Sequence, residues 1–237
     1  MNPERFRKLR SVLDRRQPDL TVLMERVHKP HNLSAIVRNA DAVGVLEAHA
    51  VPLDDVLKLP HDTSAGSAKW VNVRTHASVR EAAHHLRGRG FRLLAAHRDA
   101  EARDFREVDL TAPVAFLVGA ELEGLSSEAI ELADEVVSIP MVGMVRSLNV
   151  SVAASLLLYE AYRQRERAGF YDSRRLPEEQ YRRLLFEWSH PEVAIRLRRA
   201  GVEYPDLDED GEILPAPGRS RGLGASGTGE EVRDSGG

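Results

Sequence analysis

The 237-residue sequence predicts an α/β fold, in which a mostly parallel sheet carries helices on both faces and is flanked by helical extensions. Three observations predict it. Short apolar runs alternate with stretches of helical periodicity, the runs are nearly continuously apolar, and 42% of the residues are hydrophobic, enough for one sizeable core. Continuous apolar runs are typical of parallel strands buried on both faces. In such sheets, ligands bind beyond the carboxyl ends of the strands.

The first third of the chain predicts two helices and three strands. Residues 4–16 carry apolar side chains at helical spacing among arginines, and Pro18 follows this helix. A second helix is predicted over about residues 33–43, with Asn32 as its N-cap and Gly44 as its stop signal. Three apolar runs of strand length predict strands at residues 20–27, 48–51 and 69–74.

The rest of the chain continues the alternation. Residues 78–90 predict a helix that opens with Ser78 and Glu81 at capping-box spacing, and we expect His84 and His85 on its exposed face. Residues 148–167 predict a helix that is apolar on nearly all sides as far as Tyr159, which indicates burial in the core or at a subunit interface. The remaining predicted elements are strands at 91–96, 114–119 and 135–140 and helices at 126–134, 178–188 and 192–200.

Composition excludes several classes of protein. The chain has no cysteine, so it offers no disulfide framework and no thiolate nucleophile or metal ligand. His28 and His31 lie close together, but Pro30 interrupts any helical face and no third ligand is evident, so we expect no metal site. The N-terminus is charged, and no apolar run approaches the roughly 18 residues that span a bilayer, so we expect a cytoplasmic protein without membrane contact.

The charge distribution is uneven and favours an RNA partner. The formal net charge is −4, yet the first 40 residues hold nine basic residues against four acidic ones. A basic arm on a near-neutral domain is what phosphate contact requires, although a solvated helical face explains the same charges. The sequence "GLGASG" at 222–227 matches a dinucleotide-binding pattern in letters alone, because no strand precedes it and the chain ends soon after.

Three stretches carry polar residues where predicted strands end. They are "HKPHNLSAIVRNADAVG", "FLVGAELEGLS" and "IPMVGMVRSLNVSVAAS". In this order and at these intervals they resemble the motifs of the SPOUT superfamily of RNA methyltransferases, and most closely those of the TrmH type, the tRNA 2′-O-methyltransferases that modify the D-loop guanosine at position 18. The resemblance extends from about Arg5 to about Asp210.

The resemblance implies a C-terminal deep trefoil knot, a homodimer, and S-adenosyl-L-methionine bound by the loops of the knot. It divides the chain into a basic N-terminal helical arm (1–18), a knotted methyltransferase domain (19–168), a helical extension (169–214) and a tail (215–237), which is rich in Gly and Ser and is expected to be disordered. It implies that five residues bind the cofactor through main-chain groups and apolar contact: Ala96, Gly119, Ile139, Met141 and Leu148. Position 96 is often Thr in the family, so only a backbone role carries over to Ala96.

The resemblance also places Arg38 in the family's catalytic position, surrounded by Asn32, Glu121, Ser147 and Asn149. A guanidinium is a poor base, so we expect Arg38 to bind the nucleotide phosphate and to stabilise the developing alkoxide, while the proton acceptor stays open between a phosphate and a water. The expected tRNA contacts are Arg5, Lys8, Arg15, Arg16, Arg163, Arg165, Arg174 and Arg175.

Two alternatives remain at this point. Within the same class, the enzyme could methylate ribosomal RNA, but only a short basic helix precedes the first strand, which favours tRNA. In another class, the chain could be an RNA-binding protein or chaperone that kept the fold and lost the chemistry. The joint presence of the five polar residues around the expected reaction centre weighs against this second alternative.

Overall fold

The structure is a computed structural model that describes residues 2–53, 69–99, 101–120 and 123–215. Within this part of the chain, seven strands form one sheet. The strands are β1 (Leu20–Glu25), β2 (Glu47–Val51), β3 (Asn72–Thr75), β4 (Arg92–Ala96), β5 (Arg103–Asp104), β6 (Val114–Val118) and β7 (Glu135–Ser138).

Seven helices accompany the sheet in the described residues. They are α1 (Pro3–Leu13), α2 (Pro30–Ala42), α3 (Val79–Gly88), α4 (Ser127–Glu131), α5 (Val150–Arg167), α6 (Glu178–Ser189) and α7 (Pro191–Arg199). Among the described residues, no helix has the length and apolar character needed to cross a membrane.

The strand order is β3-β2-β1-β6-β4-β7-β5, and every pairing is parallel. The order places β1, β6, β4 and β7 side by side in the middle of the sheet. Since parallel strands end at the same edge, the loops that follow these four strands are neighbours. The predicted α/β class with a parallel sheet is confirmed.

Side chains of the central strands alternate between two apolar cores. Leu20, Val22 and Met24 of β1 face one core, which α2 and α5 cover. Leu23 faces the other core, which α3 and α4 cover. The alternation follows from the period of two along a strand, and it is why these strands are apolar on both faces.

A third apolar cluster joins α1 to α6. Phe6, Leu9 and Leu13 of α1 pack against residues that include Tyr181 and Trp188 of α6. The helical spacing of the three α1 residues therefore reflects burial of one face, as the sequence predicts. The opposite face of α1 is left to solvent with its basic residues.

The structure shifts some predicted boundaries. Helix α2 begins at Pro30 with Lys29 at the N-cap, so the prediction of Asn32 as N-cap is wrong and Asn32 lies in the first turn. Proline is well suited to the first helical position, where its missing N–H costs no hydrogen bond. Strand β3 begins at Asn72 rather than at residue 69 and is largely exposed. The short strand β5 is not predicted by the sequence.

Candidate active site

The strand ends bring three of the sequence-predicted residues to one edge of the sheet. Ala96 is the last residue of β4, Gly119 directly follows β6, and Ile139 directly follows β7. Since β6, β4 and β7 are adjacent, these three positions lie on neighbouring strands. Strand β1 lies on the other side of β6, so the loop leading to α2 joins the same edge.

Gly119, the first residue after β6, lies tightly against the backbone of Gly124 and Leu125. A Cβ atom built on Gly119 would lie 2.1 Å from the carbonyl carbon and oxygen of Gly124 and 2.3 Å from the nitrogen of Leu125. No side chain fits there, so Gly119 is required by a close backbone approach. Gly124 itself has a φ of 69°. The expected catalytic residue Glu121 lies outside the described residues.

Glu25, a residue that the sequence reasoning missed, holds the loop after β6 in place. Its carboxylate is buried at the end of β1 and accepts hydrogen bonds from the Ser126 backbone N–H (2.8 Å) and the Ser126 hydroxyl (2.6 Å). Ser126 in turn caps α4. A charged residue at the end of an otherwise apolar run was the available signal, because a buried carboxylate needs partners of this kind.

The segment 139–149 between β7 and α5 offers its main chain to a ligand. Within the described chain, no backbone N–H of residues 139–148 donates to another backbone group. Arg98, beyond β4, donates to the carbonyl of Arg146 at 3.3 Å. The side chains of Val142 and Met144 are fully exposed, while Met141 and Leu148 are partly buried. Apolar side chains beside unpaired main-chain groups suit an uncharged, planar ligand surface.

Asn32 and Asn149 meet between the helices α2 and α5. The Asn149 amide Nδ2 donates to Oδ1 of Asn32 at 3.2 Å, and Asn32 is buried. Oδ1 of Asn149 caps α5 by accepting from the Ser151 backbone N–H at 2.8 Å and from the Ser151 hydroxyl at 2.6 Å. One side chain thus starts α5 and fixes it to the first turn of α2.

A second polar contact repeats this link two turns further along. Nδ2 of Asn39 donates to the Ser155 hydroxyl at 2.5 Å, and that hydroxyl donates to the Ser151 carbonyl at 2.6 Å. The paired contacts hold α2 and α5 in one register, since hydrogen-bonding groups fix relative positions more specifically than apolar contact does. The first turns of the two helices are therefore positioned relative to each other by side chains.

Arg38 and Ser147 are close in the chain to these two asparagines: Arg38 follows Asn32, and Ser147 precedes Asn149. Arg38 is exposed on α2, six residues after Asn32, and Ser147 is exposed two residues before Asn149. Both side chains are therefore accessible to a ligand from solvent. A guanidinium and a hydroxyl both donate hydrogen bonds to anionic oxygens.

Arg26 adds a cation near the end of β1. It has a φ of 56°, the only positive value of a residue other than glycine in the described chain, and its Nη1 lies 3.4 Å from a carboxylate oxygen of Glu123. Left-handed backbone is unfavourable for a long side chain, and strained residues of this kind cluster at functional sites. The ion pair connects the end of β1 to the loop after β6, and no sequence pattern predicts it.

Six of the eight residues expected to contact RNA are at least partly accessible. Arg5, Lys8, Arg15 and Arg174 are exposed, and Arg163 and Arg175 are partly buried. Two further arginines that we did not predict, Arg7 and Arg10, line a surface cleft together with Arg15 and Arg174. The cleft lies between α1 and the segment 171–174, so two distant parts of the chain bring these four arginines together.

Arg16 and Arg165 are corrections, because both guanidiniums are fully buried and have protein partners. Arg16 pairs with Asp41 at 2.6 Å and donates to the Val45 carbonyl at 2.8 Å. Arg165 pairs with Asp19 at 2.6 Å and donates to the carbonyls of residues 110 and 112 at 2.9 Å. Burial of a charge requires such pairing, and it removes both residues from the RNA-contacting surface.

The comparisons with known proteins agree with this geometry. A family model described as "SpoU rRNA Methylase family" matches residues 19–159, and one described as "SpoU, rRNA methylase, C-terminal" matches residues 163–216. The chain is 51% identical over 215 residues to the tRNA (guanosine(18)-2′-O)-methyltransferase of Escherichia coli strain K12, covering 90% of this chain and 94% of the relative.

Two solved structures are also similar. The Aquifex aeolicus TrmH/SpoU tRNA modifying enzyme matches with a TM-score of 0.76 and 42% identity, over 80% of this chain and 97% of that one. The SpoU methyltransferase AviRb from Streptomyces viridochromogenes, in complex with the cofactor AdoMet, matches with a TM-score of 0.58 and 32% identity, over 63% of this chain and 59% of that one.

Proposed function

Since this chain belongs to the SpoU rRNA methylase family, we propose that it transfers a methyl group from S-adenosylmethionine to the ribose 2′-oxygen of guanosine 18 in the D-loop of tRNA. One observation carries this proposal: the 51% identity to a tRNA (guanosine(18)-2′-O)-methyltransferase runs through nine-tenths of both chains. A match of this length includes the helices after α5 as well as the sheet.

The residues present fit S-adenosylmethionine, the cofactor found in AviRb. Ala96, Gly119, Ile139, Met141 and Leu148 offer main-chain groups and apolar surface, and the segment 139–148 has main-chain N–H groups without backbone partners within the described chain. When bound, the cofactor supplies a methyl group on a positively charged sulfonium. The trefoil knot expected from the family belongs to this proposal, with these loops as its parts.

Arg38, Asn32, Ser147, Asn149 and Glu121 are the residues proposed to act on the ribose. A guanidinium offers hydrogen-bond donors and no acceptor, so Arg38 acts as a donor to the nucleotide phosphate and to the developing alkoxide. The contact between Asn32 and Asn149 holds the two helix starts together, which keeps Arg38 on α2 in register with Ser147 before α5. Alignment of the reacting groups is the main contribution that such a site makes.

The tRNA surface is proposed from the exposed basic residues. Arg5, Lys8, Arg15 and Arg174, with Arg163 and Arg175 at its margin and Arg7 and Arg10 added by the structure, supply the phosphate contacts. Arginine suits this task because its planar fork binds phosphate oxygens in pairs. A tRNA substrate also supports a cytoplasmic location. The division of the chain into domains at residues 18, 168 and 214 remains our proposal.

The homodimer is proposed from the outer face of α5. Its inner face packs in the core through residues such as Ala154 and Leu158, yet Val152, Leu156 and Tyr159 are 41–49% exposed at a spacing of four and three residues. Three large apolar side chains in a row on one helix face, close to the exposed Val142 and Met144 in sequence, form a surface that a second copy of this chain would cover.

Single-turnover methyl transfer to unmodified tRNA transcripts tests the proposed function. Transferred methyl should map to the ribose of guanosine 18, and a transcript with 2′-deoxyguanosine at this position should accept none. A ribosomal RNA fragment serves as the comparison substrate, because the family model carries rRNA in its description. Methylation of the ribosomal fragment alone would favour that second substrate. Cofactor binding without transfer to either RNA would favour a non-catalytic RNA-binding protein.

A further inference from the structure

Three histidines meet on the side of the sheet opposite α2 and α5. His49 on β2 is fully buried, His76 directly follows β3, and His85 lies on α3. Their ring centroids are 5.2–5.6 Å apart. The expectation that His85 points to solvent is wrong, because α3 packs against β2 and turns this side chain toward His49. We call these three residues and Glu47 the histidine cluster.

Glu47 completes a set of possible metal ligands. It lies two residues before His49 on β2 and so shares its face of the sheet. Its Oε1 is 3.6 Å from Nε2 of His49, and one ligand atom from each of Glu47, His49 and His85 lies within 4.8 Å of the others. A tetrahedral zinc ion with bonds of about 2.0–2.1 Å separates its ligand atoms by about 3.4 Å, close to the distance between His49 and Glu47.

Two buried nitrogen atoms in the histidine cluster have no hydrogen-bond partner. They are Nε2 of His49 and Nε2 of His85. The great majority of buried polar side-chain atoms have a partner, so two orphaned imidazole nitrogens beside one carboxylate need an explanation. Both atoms are ones through which histidine binds metals.

The contacts along the histidine cluster point to the same place. Three of them form a chain: Glu81 to Nδ1 of His76 at 3.5 Å, Nε2 of His76 to Nδ1 of His49 at 3.0 Å, and Nε2 of His49 to Glu47 at 3.6 Å. The contact between the two rings is a hydrogen bond. The contact between His49 and Glu47 is too long for one, so Nε2 of His49 is left without a partner.

A cation between His49 and Glu47 gives Nε2 of His49 a partner. Nδ1–H of His76 then donates toward Glu81 and Nδ1–H of His49 donates to His76, which leaves Nε2 of His49 as a metal-binding lone pair. Hydrogen bonds of this kind behind a ligating histidine fix its tautomer and raise its basicity. The Glu47 carboxylate is already oriented by Arg89 at 2.6 Å and Asn72 at 2.9 Å.

The charges around the histidine cluster select the kind of ion. Arg89 and Arg74, which is 3.7 Å from Glu47, balance the charges of Glu47 and Glu81. No excess negative charge attracts a hard cation, so binding has to come from the imidazole nitrogens. Imidazole suits zinc and related transition metals, whereas magnesium and calcium prefer oxygen ligands.

We propose that Glu47, His49 and His85 bind one divalent transition-metal ion of the zinc class, with His76 as the positioning residue behind His49. Three protein ligands leave a fourth position for water. The ion would join β2 to α3 on the side of the sheet away from Asn32 and Asn149. It therefore stabilises the fold, and methyl transfer does not depend on it.

The test measures zinc binding to the full chain after removal of any affinity tag. The absence of cysteine helps, because no thiolate can take up the metal. After treatment with a chelator and dialysis against zinc, the wild type should retain about one ion per chain and should melt at a higher temperature than the metal-free protein. His85→Gln should weaken zinc binding at least about tenfold. It should also lose the rise in melting temperature, while the rate of methyl transfer stays unchanged.

His84→Gln is the matched control, since His84 is the neighbouring exposed histidine on the same helix. It should bind zinc as the wild type does. Circular dichroism of His85→Gln without metal checks that α3 stays folded, and His49→Gln provides a second test of the ligand set. The proposal is overturned if the wild type retains no zinc after dialysis, if His85→Gln binds as tightly as the wild type, or if His84→Gln loses binding equally.

Discussion

Single side chains connect the candidate active site to the fold. Asn149 starts α5 with its oxygen and holds Asn32 with its nitrogen, so one amide serves both helices. Glu25 performs a similar task for the loop after β6 through Ser126. In both places one polar side chain connects two parts of the chain through hydrogen bonds, while the side chains of Arg38 and Ser147 are exposed.

Replacement of Arg38 by alanine should reduce single-turnover methyl transfer by about 10²- to 10³-fold, the usual effect of losing a donor to a developing oxyanion. Calorimetric affinity for S-adenosylmethionine should stay nearly unchanged, because Arg38 belongs to α2 and not to the segment 139–148 that is proposed to bind the cofactor. Arg38→Lys should restore little, since an ammonium group cannot form the paired contacts of a guanidinium.

Arg80→Ala is the control for this measurement, because Arg80 is an exposed arginine on α3. It should behave as the wild type does in both assays. Near-normal transfer by Arg38→Ala, or loss of cofactor binding in proportion to activity, would contradict the assignment of Arg38 to the ribose.

Gly119→Ala should disrupt the loop after β6, because the new Cβ would lie 2.1 Å from the backbone of Gly124 and the backbone would have to move. If this movement costs about 2 kcal/mol at the cofactor site, affinity for S-adenosylmethionine falls roughly 30-fold. Isothermal titration calorimetry measures this directly. The control is Gly88→Ala, where an added Cβ meets nothing within 4 Å, and it should bind the cofactor normally. Equal affinities of the two variants would refute the argument.

At the scale of the element, α1 has two faces with different tasks. Phe6, Leu9 and Leu13 attach it to α6, and exposed Arg5 and Lys8 face solvent. Arg15 and Arg16 follow the helix, and the structure separates them sharply. Arg15 is exposed beside the basic cleft, whereas Arg16 is buried against Asp41. The two adjacent arginines therefore have different surroundings, solvent for Arg15 and protein for Arg16.

Replacement of Arg5, Lys8 and Arg15 together by glutamine should weaken tRNA binding and reduce the slope of log affinity against log salt concentration, because each lost phosphate contact reduces the number of released counterions. Transfer at saturating tRNA should change less. Filter binding over a series of salt concentrations measures the slope, and thermal melting should show an unchanged fold.

Arg16→Ala should lower the stability of the fold and leave tRNA binding unchanged. Removal of one partner of a buried ion pair should lower the free energy of unfolding by about 3 kcal/mol, at the lower end of the usual range because the Asp41 side chain is 29% exposed. The salt slope of tRNA binding should stay as in the wild type. Normal stability of Arg16→Ala, or an unchanged slope in the triple variant, would contradict this division of tasks.

At the scale of the whole molecule, different helices around the sheet carry the different proposed sites. Helices α2 and α5 carry the candidate active site, α3 and α4 cover the other side with the histidine cluster, and α1 and α6 form a separate cluster with the basic cleft beside it. The sites proposed for catalysis, metal binding and RNA binding therefore occupy different layers. Variants in one layer can be tested with the other layers as internal controls.

Leu156→Glu should convert the proposed homodimer to a monomer, because it places a charge in the middle of the exposed apolar face of α5. Light scattering at micromolar concentration measures the mass. Glu179→Gln, an exposed change on α6, is the control and should stay dimeric. A wild-type mass of one chain, or a dimer that survives Leu156→Glu, would refute the proposed interface.

Much of the fold could be predicted because period and composition are local properties. The alternation of apolar runs and helical stretches gave the parallel α/β sheet, and Ser78 caps α3 through the Glu81 backbone as its spacing indicated. The predicted starts of two elements were wrong, because α2 begins at Pro30 and β3 begins at Asn72. The residues of the candidate site came from the resemblance of three stretches at strand ends to the motifs of the SPOUT superfamily.

Tertiary structure decided which of several like residues is buried. Arg15 and Arg16 are indistinguishable in sequence, as are His84 and His85, yet in each pair one side chain faces solvent and the other faces protein. The direction of a side chain depends on which distant element packs against its backbone, here the Asp41 end of α2 for Arg16 and the strand β2 for His85. The sequence by itself determined the class of fold and the positions where the chain turns polar, because both are set by neighbouring residues. Only the packed structure decided which charges and imidazoles meet, because long-range contacts form between residues that no local pattern connects.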